Sequence, residues 1–252
     1  FDGRVYFSAI GAEGDGLWAT DGTPEGTVQI DVPNIDLSPF FPTEFAVLGD
    51  RLVFSGFSNA LGFELYITDG TSSGTELIVD LAPGSLFGVS GGPLVELDGY
   101  LYFAGDDGTT GSELYRTDGT AAGTELVEDL EPGATGSNPN QMVRVGDRVV
   151  FTRFAENWTE QVWSTDGNAP SEQIAVLVSG ISGPVFSDGE QAFFRGPTPG
   201  DTVQLWHSDG TLAGTEMIHE IAPAQGFLST STFGAAGNGA ATILLSLIHI
   251  SE

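Results

Sequence analysis

Cysteine is absent from all 252 residues, and so is lysine: the seven basic side chains are all arginines. Without cysteine there are no disulfides, no thiolate metal ligands and no cysteine nucleophile. The shortage of positive charge is just as restrictive, because 35 Asp and Glu leave a formal net charge of −28. Such a polyanion repels phosphate backbones and anionic headgroups, which excludes nucleic acid and lipid surfaces as partners and favours calcium or cationic ones. A solvated acidic surface suited to a saline medium is the plainer reading of the same charge. Long apolar runs are missing too. The longest, 240–250, has about 11 residues, where a membrane-spanning helix needs roughly 20, so direct membrane insertion is not expected. No stretch carries a sustained 3.6-residue apolar period, whereas 36 glycines and 13 prolines suit short strands joined by tight turns. The chain opens at Phe1 with no basic and apolar leader pattern, so any signal peptide is expected to lie upstream of it.

What the chain does have is an internal repeat. Thr20-Asp21-Gly22-Thr23 recurs as Thr68-Asp69-Gly70-Thr71, Thr117-Asp118-Gly119-Thr120, Thr165-Asp166-Gly167-Asn168 and Ser208-Asp209-Gly210-Thr211, with Asp-to-Asp spacings of 48, 49, 48 and 43. An aromatic stands three residues before each Asp: Trp18, Tyr66, Tyr115, Trp163 and Trp206. Four units continue with Gly-Thr at one offset (Gly26-Thr27, Gly74-Thr75, Gly123-Thr124, Gly214-Thr215), and the fourth has Ser171-Glu172 instead. The third unit reads as four strands, at 93–97, 100–104, 113–117 and 125–130, with an Asp98-Gly99 turn between the first two. Four short strands per 40 to 50 residues describe a propeller blade. Both strand faces are apolar, as in Leu101-Tyr102-Phe103, so each sheet needs a neighbour on either side. The fold expected is therefore all-β, a β-propeller of four-stranded antiparallel blades with five repeat units, either a five-bladed ring or part of a larger one. In the five-bladed case a strand from 231–244 would pair with the one at 4–8.

These motifs resemble the ELWxxDGT repeat of large bacterial extracellular proteins, shown best by Glu64-Leu65-Tyr66-Ile67-Thr68-Asp69-Gly70-Thr71. The resemblance spans nearly the whole chain. It implies a secreted or cell-surface repeat protein and transfers no catalytic residue. Gly16 and Gln204 replace the motif's glutamate in the first and fifth units, which marks that glutamate as dispensable to the fold. The last eight residues, 245–252, resemble the translation of a sequencing-library adapter, which implies a non-native tail after a single repeat domain at 1–244.

The candidate site residues follow from the repeat. Asp21, Asp69, Asp118, Asp166 and Asp209 are read as turn-locking acceptors, with Gly22, Gly70, Gly119, Gly167 and Gly210 supplying positive φ, and calcium ligation is the lesser alternative. Their placement is similar to that of the Asp-box hairpins of sialidase propellers. Trp18, Tyr66, Tyr115, Trp163 and Trp206 are read as packing between blades, because a ligand platform would not need one copy per unit. Arg4, Arg51 and Arg148 open second strands at equivalent places, so they do not form a converging arginine cluster. His207 and His219 have no catalytic partner at motif spacing, and no P-loop, Gly-x-Ser-x-Gly, HExxH or EF-hand pattern occurs.

Function is expected in what varies between units: the loops at 10–16, 57–62, 105–112, 155–159 and 196–202 and the linkers at Pro83-Gly84 and Pro132-Gly133. Asp106 and Asp107 are the candidate metal ligands, with calcium the ion that adjacent carboxylates in a Gly-rich loop would hold; no other cofactor is expected. The leading expectation is a non-catalytic adhesion or interaction module, in a larger protein, that binds an extracellular protein or glycan. The alternatives are a polysaccharide hydrolase or lyase using Asp15, Asp107, Glu156 and Asp201, which would have to converge in a cleft, and a structural spacer.

Overall fold

A computed structural model describes residues 1–11, 14–31, 41–84, 87–155, 159–168, 170–177, 184–197 and 203–221. The expected strand within 231–244 and the tail 245–252 lie outside these residues. The described chain is all-β: its one helical element is a 3-10 turn, Ser72–Gly74.

Five antiparallel sheets follow one another along the chain. The first is β1 (Val5–Gly11), β2 (Gly14–Thr20) and β3 (Val28–Ile30). The second is β4 (Phe41–Leu48), β5 (Arg51–Ser58), β6 (Gly62–Thr68) and β7 (Glu76–Val79). The third is β8 (Val95–Leu97), β9 (Tyr100–Asp106), β10 (Ser112–Thr117) and β11 (Glu125–Glu128). The fourth is β12 (Asn140–Val145), β13 (Arg148–Phe154), β14 (Glu160–Thr165) and β15 (Glu172–Leu177), and the fifth is β16 (Phe186–Ser187), β17 (Ala192–Pro197), β18 (Val203–Ser208) and β19 (Glu216–Ile221). Strands pair in sequence order, the meander of a propeller blade. The repeated Asp-Gly-Thr or Asp-Gly-Asn turn joins the third strand to the fourth in the second to fifth sheets and β2 to β3 in the first, and in the second to fifth units the register slips by a bulge just before the third-strand aromatic.

The strand ends depart from the sequence expectation for physical reasons. β9 runs on to Asp106 because the linker leaving the second sheet lies beside it: Asp106 N–H donates to the Gly88 carbonyl at 2.9 Å, and Ser90 N–H to that of Ala104 at 3.2 Å. β11 stops at Glu128 because the next amides turn away to a side chain of β10 described below. The Asp98-Gly99 turn takes positive φ at both residues, as a tight hairpin requires.

The contacts divide the chain into two compact units, Phe1–Asn138 and Pro139–Glu252. Within the first, Tyr66 packs with Phe54 of its own sheet and Leu17, Ala19 and Ile30 of the first sheet. Tyr115 and Phe103 pack with Leu48, Val53 and Ile67 of the second sheet. Within the second unit, Phe194 and Trp206 do the same against Val150 and Val162 of the fourth sheet. β5, β9 and β13 are buried on both faces at their centres, so apolar burial against other sheets is what stabilises them.

Candidate functional site

The Asp-Gly hairpins mark one end of every sheet. In the second unit Asp69 Oδ1 accepts from Thr71 N–H at 2.9 Å and from Thr71 Oγ1 at 2.7 Å, while Thr71 Oγ1 accepts from Gly74 N–H at 3.0 Å. The Thr68 and Thr75 hydroxyls close the base at 2.6 Å. The same network surrounds Asp21, Asp118 and Asp209. These bonds, the Thr hydroxyl first among them, hold the carboxyls of Asp21, Asp69 and Asp209 below the ordinary range, and the charges of Arg4 and Arg51 add to the effect at Asp21 and Asp69. Gly70 has φ +94°, and a Cβ there would also stand 2.5 Å from the Tyr6 hydroxyl; one at Gly119 would meet Ile67 at 2.8 Å. The turn glycine therefore also lets the hairpin press against the preceding sheet.

The fourth hairpin is different. In the other four, a Cβ on the later glycine (Gly26, Gly74, Gly123, Gly214) would fall 2.0 to 2.1 Å from the Asp carboxylate. Ser171 carries a Cβ at that position, so the fourth turn cannot close in the same way. It keeps Asp166 accepting from Asn168 N–H at 2.9 Å, which is the first cause of that carboxyl's lowered pKa. An open cleft of about 660 Å³ lies beside it, lined among others by Arg148, Trp163, Asp166 and Glu172. Trp163 is half-buried beneath the Arg153 guanidinium at 5.7 Å, and Trp18 is half-buried in the first sheet.

The motif glutamate has a role that the repeat pattern did not reveal. Glu113 is fully buried, and its carboxylate receives the backbone N–H of Leu130, Glu131 and Ser137 at 3.1, 3.1 and 2.8 Å, together with the Ser137 hydroxyl. It therefore holds the linker that leaves β11. Glu64 takes the Leu81 N–H at 3.1 Å in the same way, but Gly88 stands at the place of Ser137, and Glu64 Oε1 is buried without a partner. Burial first, and the nearby Asp80 charge after it, push the Glu64 carboxyl up to about 7. In the fourth unit the strand register puts Gln161 at this position, as it puts Gln204 in the fifth. The glutamate is thus used for linkers rather than for the sheets.

The opposite end of the sheets carries the variable loops. Asp107 Oδ1 accepts from the backbone N–H and hydroxyl of both Thr109 and Thr110, at 2.6 to 3.3 Å, and Asp106 Oδ1 accepts from Gly108 N–H at 2.7 Å. The Thr109 hydroxyl leads in drawing the Asp107 carboxyl down to about 2. Among the described residues no three His, Asp or Glu side chains converge as a metal site. Of the carboxylates considered for polysaccharide chemistry, Glu156, Asp201 and the Asp15 side chain lie outside the described residues.

Three phenylalanines meet at this end of the second sheet. Phe57 and Phe63 are cross-strand partners with ring centroids 5.1 Å apart, and Phe87, in the linker to the third sheet, stacks on Phe63 at 6.4 Å and 17°. A parallel bridge between Phe63 and Phe87 and a hydrogen bond from Val89 N–H to the Phe63 carbonyl at 3.0 Å hold the linker there. Phe87 is 58% exposed, and the other two are half-buried. At an offset of 49 residues, the spacing of Asp69 and Asp118, the third unit has Asp106, Ser112 and Gly136 in these places. The fourth unit has a phenylalanine at the first of these places, Phe154, but pairs it with Glu160, so the three-ring group is a feature of the second unit and not of the repeat.

No protein-family model matches the chain, and no curated protein matches it. Solved structures do. It is similar to a puromycin hydrolase variant (14% identity, TM-score 0.58), over 88% of this chain and 37% of that one. It is similar to a prolyl endopeptidase (13%, 0.57), over 85% and 32%, and to TolB from Acinetobacter baumannii (13%, 0.50), over 85% and 51%. At these identities the likeness shows the fold: the sheets are the blades of a β-propeller, as in the propeller domains of those proteins. The chain spans about a third to a half of the length of these structures.

Proposed function

We propose that this chain is a non-catalytic interaction module of a larger secreted or cell-surface protein of the ELWxxDGT repeat type, binding a protein or glycan through the loop end of its second and third sheets. The observation that carries this reading is the cluster of Phe57, Phe63 and Phe87. Contiguous exposed aromatic surface is retained where it is covered by a partner, and no other unit gathers aromatic residues at these positions: the third has Asp106, Ser112 and Gly136, and the fourth pairs Phe154 with Glu160. A binding role also fits a scaffold whose opposite end is tied down by hairpin networks, leaving the loop end free to vary. The charge of −28 argues against nucleic acid and anionic membranes as partners. The test is to compare wild type and Phe57→Ala/Phe87→Ala on peptide and glycan panels. Loss of the bound signal in the double variant is expected. Identical panels would overturn the reading, and release of reducing sugar from any glycan would overturn its non-catalytic part.

A further inference from the structure

The loop end of the first compact unit is aromatic and acidic, and the strand registers show that its cations lie elsewhere. Residues 1–138 contain three arginines. Arg4 precedes Val5, which pairs with Thr20 at the hairpin end of β1 and β2. Arg51 precedes Leu52, which pairs with Thr68 at the same end of the second sheet. Arg116 pairs with Tyr102 one step from the hairpin end of β10, where it bonds Glu125 at 2.6 Å and covers the Tyr100 ring at 4.5 Å. The other end presents Phe57, Phe63 and Phe87, with Asp106 on the strand bonded to Gly88, the residue after Phe87, and Asp107 beyond it.

Resting on the interaction reading above, we infer that this end docks a basic protein segment, with arginine or lysine side chains laid across the phenylalanine faces and their charges shared with Asp106. Ring faces are the negative pole of an aromatic side chain, so a cation is attracted to them, and the aliphatic stems of Arg and Lys cover apolar surface while the head group meets a carboxylate. The field of a −28 molecule steers cations toward every part of its surface; the stacked rings are what would make this location specific.

The experiment is an NMR titration of the full chain at roughly 0.15 M salt. The titrants are a short Arg/Ser peptide, the same peptide with citrulline for arginine, and a neutral oligosaccharide. The arginine peptide should shift the Phe57, Phe63 and Phe87 ring signals. Phe87→Ala, which leaves the charge unchanged, should weaken it about five-fold, and Asp106→Asn, whose amide oxygen can still accept from Gly108, should also weaken it. Equal affinity for wild type and Phe87→Ala would mean attraction by bulk charge and would overturn the inference. If the citrulline peptide or the oligosaccharide bound the same rings as tightly, the cationic partner would fall while the interaction reading stood. If no titrant moved the rings, both would fall.

Discussion

At Gly74 a methyl group has nowhere to go: its carbon would lie about two ångströms from the Asp69 carboxylate, inside any real contact distance. Gly74→Ala is therefore expected to destabilise by about 1–3 kcal/mol, the usual cost of overpacking. The cost should shrink in an Asp69→Ala background, because the clashing partner is then gone. Denaturant melts of the two singles and the double give the coupling; an equal cost in both backgrounds would show that backbone strain, not the carboxylate, is responsible. A second residue-scale prediction concerns Glu64. Its folded pKa of about 7 exceeds the ordinary carboxyl value of 4.5, so the folded state binds the proton more tightly than the unfolded chain does. Its contribution is full below the unfolded value and is lost as pH rises through about 7. Asp107, drawn down to about 2, has the opposite sign: its contribution is present above its ordinary value of 3.8 and is lost as pH falls toward 2. Glu64→Gln should thus remove part of the fall in stability between pH 5 and 8, as read by melts at those two pH values. An unchanged profile would mean that Glu64 is charged in the native protein.

At the scale of the element, the fourth hairpin tests what the repeated network contributes. Replacing Asn168, Ser171 and Glu172 by the residues of the other units, as Asn168→Thr/Ser171→Gly/Glu172→Thr, restores the Thr acceptor, the glycine under the carboxylate and the hydroxyl pair at the base. The triple variant is expected to be more stable by about 1–2 kcal/mol, the sum of one or two net hydrogen bonds. A lower melting temperature would show that the open turn and its cleft are supported by contacts of their own. The linkers give a second element-scale comparison. Glu113→Gln turns an acceptor oxygen into a donor facing N–H groups and should loosen the segment after β11, visible as faster amide exchange at Leu130, Glu131 and Ser137. Protection equal to wild type would show that this segment is held by its packing alone.

For the whole molecule, 35 acids and 7 arginines oppose the compact state by self-repulsion, which salt screens over about 10 Å at 0.1 M. Stability should rise with sodium chloride. Calcium at matched ionic strength should add nothing if Asp107 keeps its four threonine donors, since a cation would have to displace them; a calcium-specific rise in melting temperature would reveal a site. The blades themselves were legible in the chain because their marks are local. The bonds of the Asp and Thr side chains within the hairpin join residues at most seven apart, so turn geometry and side-chain chemistry are written in one short stretch. The same stretch carries the Gly-Thr offset, but its reason, a carboxylate lying on the glycine, is a property of the folded turn. Linker amides reach Glu64 and Glu113 from 17 to 24 residues away, and Phe87 reaches Phe63 across the whole of β7. Dihedral preference cannot specify such meetings. The sequence by itself determined the all-β class, the repeat and the locked hairpins. Which glutamates are buried and which phenylalanines share a surface was decided by tertiary structure, because only the stacking of one sheet on the next brings a linker back over the strand ends it must cross.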